Sequence, residues 1–202
     1  MLSLELKNSN LDAYLEASNV LDFEQPAISE TAKQLIQSET TEIARAKRIY
    51  EFVRDRVPHT FDIGGDIVTC SASGVLQHRQ GICFAKSHLL AAMLRSINIP
   101  AGLCYQRLIC EQEQSSKFAL HGLNAIYLGS IDRWIRVDAR GNKPGVQAEF
   151  CLEKERLAFP IRAALHETEC PIVYSQPNPN VIAALRNSTT VTELIQNLPE
   201  QL

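Results

Sequence analysis

With 202 residues, 45% of them apolar and 21% charged, the chain can bury a core of its own and has the make-up of a globular fold, not of a disordered or fibrous one. The net charge is −3 and the lysines and arginines are dispersed, which leaves no electrostatic footprint for a nucleic-acid backbone. The opening MLSLELKNSNLDAYLEASN lacks a basic stretch followed by an apolar one, and no run approaches about 18 uncharged apolar residues, so a cytoplasmic location without a membrane partner is expected.

The first third predicts two amphipathic helices. Ala32, Leu35 and Ile36 fall at helical spacing, and so do Ile43, Ala46, Ile49, Phe52 and Val53. Ser29 with Thr31 reads as a start signal for the first helix and Ser38 to Thr41 for the second, which Pro58 ends. Residues 59 to 80, HTFDIGGDIVTCSASGVLQHRQ, hold Gly64-Gly65, small residues and no clear period, and predict a loop with at most one short helix. From Cys83 to Ile97, apolar residues occupy nearly every side of a helix, which predicts a buried central helix stopped by Pro100.

Three segments then change period. AGLCYQRLIC (101–110), FALHGLNAIYL (118–128) and RWIRVDAR (133–140) are rich in aromatic and branched residues and predict strands, the first two separated by a polar EQEQSSK loop. Gly129-Ser130 suits a two-residue hairpin turn, and counting back from it sets Leu128 against Ile131 and His121 opposite Asp138. A longer turn would move the register by a residue or two and leave a diagonal contact. Beyond residue 143, QPNPN (176–180) predicts a break before one helix within VIAALRNSTTVTELIQ. No repeat or long linker intervenes, so a single domain over 1–202 is expected, with N-terminal helices in 1–58, a core in 59–142 and a C-terminal extension in 143–202.

Six cysteines without a CxxC pair do not predict disulfides in a reducing compartment. Cys70, His78, Cys83 and His88 lack the short knuckle spacing of a zinc site, so no metal is expected, and the missing resolving cysteine counts against a redox protein. Cys104, Cys110, Cys151 and Cys170 read as small core residues. Cys83 differs: at a helix start, the unpaired N–H groups and the positive helix end favour thiolate, Gly81 leaves room for a substrate, and the residue's own N–H can hold an oxyanion. Acyl chemistry also needs a base and a group to orient it, which His121 and Asp138 supply.

A second oxyanion donor could come from Gln77 or Gln80, although a surface glutamine is the commoner role. His88, five residues past Cys83, is off its face and reads as a packing or surface residue; His59, His78 and His166, near loop signals, read as solvent-facing. Arg136 and Asn142 flank Asp138 and either line a groove or are exposed.

The chain resembles the transglutaminase-like superfamily, and within it the bacterial transglutaminase-like cysteine peptidase group. RQGICFAKSHLLAAMLRSINIPA resembles the family's Arg-x-Gly-x-Cys helix, LHGLNAIYL its histidine strand and WIRVDARGN its Trp-x-x-x-Asp strand, over roughly residues 45 to 142. The resemblance implies a papain-like α+β fold with the cysteine helix packed on an antiparallel sheet. It also implies Cys83 as nucleophile, His121 as general base and acid, and Asp138 as its orienting partner. Where many members read His-Ala-Trp and Asp-Pro-Thr, this chain has His121-Gly122-Leu123 and Asp138-Ala139-Arg140, a departure that bears on substrate.

The expected activity is cleavage or transfer of an amide or acyl group through a thioester, with hydrolysis favoured because transfer requires a water-excluding site. Protein-glutamine transglutaminase or deamidase activity and a non-catalytic binding module are the alternatives. The expected substrate is a peptide, a protein or a small amide. No cofactor is required, and no acidic loop supports the calcium dependence of some larger relatives.

Overall fold

A computed structural model describes residues 2–112 and 115–202. Helix α1, Pro26–Ile36, starts where proline fits the first helical turn, ahead of the expected Ser29 and Thr31 signal. Helix α2, Glu42–Arg56, is capped as expected by Thr41, whose hydroxyl accepts from the Ala44 N–H, and it ends just before Pro58. The loop that follows contains one short α-helix, α3 (Ala72–His78), capped by Ser71.

Helix α4, Cys83–Arg95, is the centre of the molecule: every residue from Phe84 to Arg95 is buried. α1, α2 and α3 cover one side of it and the sheet covers the other. Two of its polar residues are satisfied by backbone carbonyls of other segments. Arg95 donates to Glu16, Ala101 and Ser175 oxygens, the first and last of which tie the helix end to segments far from it in sequence. Lys86 Nζ donates to the Arg54 and Val57 oxygens at the end of α2.

The main sheet has the order β4-β3-β2-β5 and is antiparallel throughout. β2 (Ala101–Gln112) pairs along its length with β3 (Ser115–Leu128), so both strands reach further into the expected EQEQSSK loop than their composition suggests; residues 113 and 114 lie outside the described residues. β4 is Arg133–Val137 and β5 is Thr168–Glu169. A second, two-stranded parallel sheet joins β1 (Glu5–Leu6) to β6 (Ile172–Val173), and the buried Tyr14 hydroxyl donates to the Val173 oxygen beside it at 2.9 Å.

The hairpin between β3 and β4 differs from the two-residue expectation. Leu128 pairs with Arg133, not Ile131, because Gly129–Ile131 forms a 3-10 turn closed by Asp132 in the left-handed region. The side chain of Glu42, at the start of α2, accepts from the Gly129 and Ser130 N–H groups at 3.1 and 2.8 Å and holds that wider turn. The register moves by two residues, which keeps every side chain on its predicted face but makes the contact between His121 and Asp138 diagonal.

The single C-terminal helix expected after QPNPN is also two. α5, Pro179–Asn187, starts after the Asn178 cap, and α6, Val191–Gln196, starts at a capping box in which Thr190 and Glu193 satisfy each other's backbone N–H groups.

Candidate active site

Cys83 is the first residue of α4, and the preceding Ile82 supplies no side-chain cap. Its N–H donates instead to Nε2 of His59 at 3.2 Å. Backbone pairing explains how His59 arrives there: it bridges to Gly81, with the Thr60 N–H donating to the Gly81 oxygen and the Gly81 N–H to the Pro58 oxygen. Burial and then the nearby Arg140 charge push the His59 pKa down to about 3, which suits a neutral ring accepting a hydrogen bond.

His121, in the middle of β3, is buried, and its Nε2 lies 2.8 Å from Oδ2 of Asp138. Asp138, just past the end of β4, is fully buried and accepts further N–H bonds from Arg140 at 3.0 Å and Ala158 at 3.1 Å. A carboxylate only accepts, so His121 Nε2 carries a proton, which leaves Nδ1 as the ring nitrogen free to serve Cys83. Burial opposes charge on both partners. The Asp138 carboxylate and the Cys83 thiol nevertheless raise the His121 pKa, and the His121 ring with the backbone donors lowers that of Asp138. Phe159 stands edge-on to the His121 ring, with centroids 5.0 Å apart.

Cys83, His121 and His59 open on one cavity of about 610 Å³, walled by Phe61, Ile82, Ile109, Phe159 and other apolar residues. At its rim Asp62 binds both Arg140 and Lys143. Cys110, expected in the core, lines this cavity.

The structure thus brings together Cys83, His121 and Asp138. It does not bring in Gln77, which is exposed, or Gln80, whose side-chain oxygen is buried against Gly65; neither lines the cavity. Arg136 is buried and ion-paired with Glu155 and Glu169, and Asn142 hydrogen-bonds Ala148, so neither lines it. His88 is a packing residue, with Nδ1 donating to the Cys70 oxygen, whereas His78 and His166 are exposed.

Two residues beside the site were not expected there. His59 read as a solvent-facing loop histidine, and its partner is a backbone N–H that leaves no side-chain pattern. Lys86, one turn past Cys83, has a pKa brought down to about 7 by burial and by Arg140; a Lys-Ser-His run inside an otherwise apolar helix was the available signal.

The departure at Gly122 has a packing cause. A Cβ there would lie 2.7 Å from a ring carbon of Phe84 and 3.2 Å from its Cα, against the first turn of α4. Gly122→Ala is expected to cost about 1–3 kcal/mol through overpacking and to slow alkylation of Cys83 by displacing it from His121. Urea unfolding and alkylation rates check this, and unchanged values of both would refute the close-contact argument.

The family model of the transglutaminase-like superfamily matches residues 29–139, more than half of the chain, and the chain belongs to that superfamily. A solved structure from Cytophaga hutchinsonii, provisionally named a cysteine protease, shares the fold at 20% identity and a TM-score of 0.52, covering 66% of this chain and 43% of that one. A second, from Parabacteroides distasonis and provisionally named a protease, is 14% identical with a TM-score of 0.40, covering 75% of this chain and 30% of that one. This chain therefore spans less than half the length of either. No curated protein matches. Among the described residues, no helix is long and apolar enough to cross a membrane.

Proposed function

We propose that the chain is a thiol hydrolase that cleaves an amide or acyl bond through a thioester on Cys83. The observation that carries this reading is the His121 ring tied to the buried Asp138 carboxylate and opening, with Cys83 at the start of α4, on one cavity. The thiol proton passes to His121 Nδ1, and the sulfur attacks the acyl carbon. The acyl oxygen, now negative, takes the Cys83 N–H in place of His59 Nε2. His121 returns the proton to the leaving group, the C–N or C–O bond breaks, and the thioester remains. Water then attacks with His121 as base, and the acid product leaves. The half-buried thiol faces the cavity, so water reaches the thioester, which favours hydrolysis over transfer to an amine.

Intact-mass analysis after mixing with p-nitrophenyl acetate tests this. An acetyl group is expected on Cys83, decaying in water at a rate that added glycinamide changes little. Decay that depends on the amine would make the protein a transferase, and no acylation would leave a binding module on the same fold.

A further inference from the structure

Part of the cavity wall comes from the segment around Leu198. Leu198 lines the cavity beside Leu108, Ala119 and Leu120. The segment is held by its main chain: the Leu120 N–H donates to the Pro199 oxygen at 2.8 Å, and Arg107 Nε donates to the Glu200 oxygen at 3.2 Å. Leu120 immediately precedes His121. β4 pairs only with Asn124–Leu128 of β3, so among the described residues no strand covers the β3 edge at Leu120. A segment bonded through its carbonyl to an uncovered strand edge, with an apolar side chain in the adjoining pocket, makes the two kinds of contact that peptide recognition by strand addition uses.

The charges around the cavity agree with an apolar occupant. Arg140 and Lys143 both bind Asp62, and Arg162 binds Glu167, so each of these cations already has a carboxylate. The remaining wall is largely apolar, and a charged side chain seated there would lose its hydration without gaining an unused partner.

We propose that the substrate is an extended polypeptide whose main chain pairs with β3 at Leu120 and whose apolar side chain sits where Leu198 now lies, residues 198–200 holding that place in the free protein. The proposal rests on the reading of Cys83 and His121 as a thiol enzyme and adds to it an apolar subsite beside β3 that residues 198–200 themselves occupy.

Labelling of Cys83 in the full chain, located by mass spectrometry, tests it with three reagents: iodoacetamide and the chloromethyl ketones of Ala-Leu-Ala and Ala-Asp-Ala. The leucine ketone is expected to react about tenfold faster than the aspartate one, the discrimination set by burying one leucine. In Leu198→Asp, which puts a charge in the apolar wall, the leucine ketone should gain about tenfold relative to iodoacetamide. A synthetic peptide of residues 196–202 should then protect Cys83 in that variant, and the same peptide with aspartate for leucine should not. Equal rates for the two ketones, or an equal change for ketone and iodoacetamide in the variant, would overturn the proposal. An iodoacetamide rate no higher at neutral pH than that of a free thiol would instead sink the thiol-enzyme reading, while the ratio of the two ketones would still report what the cleft prefers.

Discussion

Replacing His121 with alanine is expected to slow iodoacetamide alkylation of Cys83 by at least about tenfold at pH 6, with a much smaller effect above pH 9. An ordinary thiol, with a pKa of about 8.5, is less than about 1% thiolate at pH 6, so low-pH reactivity needs a partner that keeps the proton. His121 is that partner: Asp138 and Cys83 together raise its pKa against the effect of burial, and its Nε2 is tied to a carboxylate 2.8 Å away. At high pH any thiol ionises and the two proteins converge. A native rate that climbs only above pH 8, or a variant that keeps the full rate at pH 6, would show that Cys83 and His121 do not act as a pair.

Fold and site were legible to different depths, for physical reasons. α4 could be read because burial on all sides imposes apolar residues on all sides, and the structure buries every residue after Cys83 in it. The β3–β4 turn could not, because Glu42, nearly ninety residues away in sequence, supplies the acceptors that widen it. The prediction of facing partners survived that error since a shift of two residues preserves the face. The second C-terminal helix was readable and missed: Thr190-x-x-Glu193 is a start signal within the segment taken as one helix. In the candidate site, the three side chains that the structure brings together could be read from residue type, Cys83 by its helix start and His121 with Asp138 by a shared strand face. What serves Cys83 through backbone geometry could not: His59 reaches the Cys83 N–H only because residues 58–60 run beside Gly81.

Asp138→Ala is expected to destabilise the protein by about 3–5 kcal/mol, and by an amount that depends on pH in a defined direction. The carboxylate is fully buried and serves His121, the Arg140 N–H and the Ala158 N–H, so its removal leaves three buried donors without their acceptor. The Asp138 pKa is lowered in the fold, so its contribution is present above the unfolded value of about 3.9 and is lost as pH falls through the folded value. That of His121 is raised, so its contribution is complete below the unfolded value of about 6.5 and is lost as pH rises through the folded value. Both therefore act in full between about pH 4 and pH 6.5, where the gap between native and variant urea midpoints should be widest. In the variant burial weighs on His121 with only Cys83 left to oppose it, so acid must charge a buried ring that has lost its carboxylate and stability should fall as pH drops through 6. Parallel midpoint curves from pH 4 to 9 would mean that the pair is not ionised in the folded protein. Any orienting of His121 by Asp138 would then have to rest on a neutral hydrogen bond.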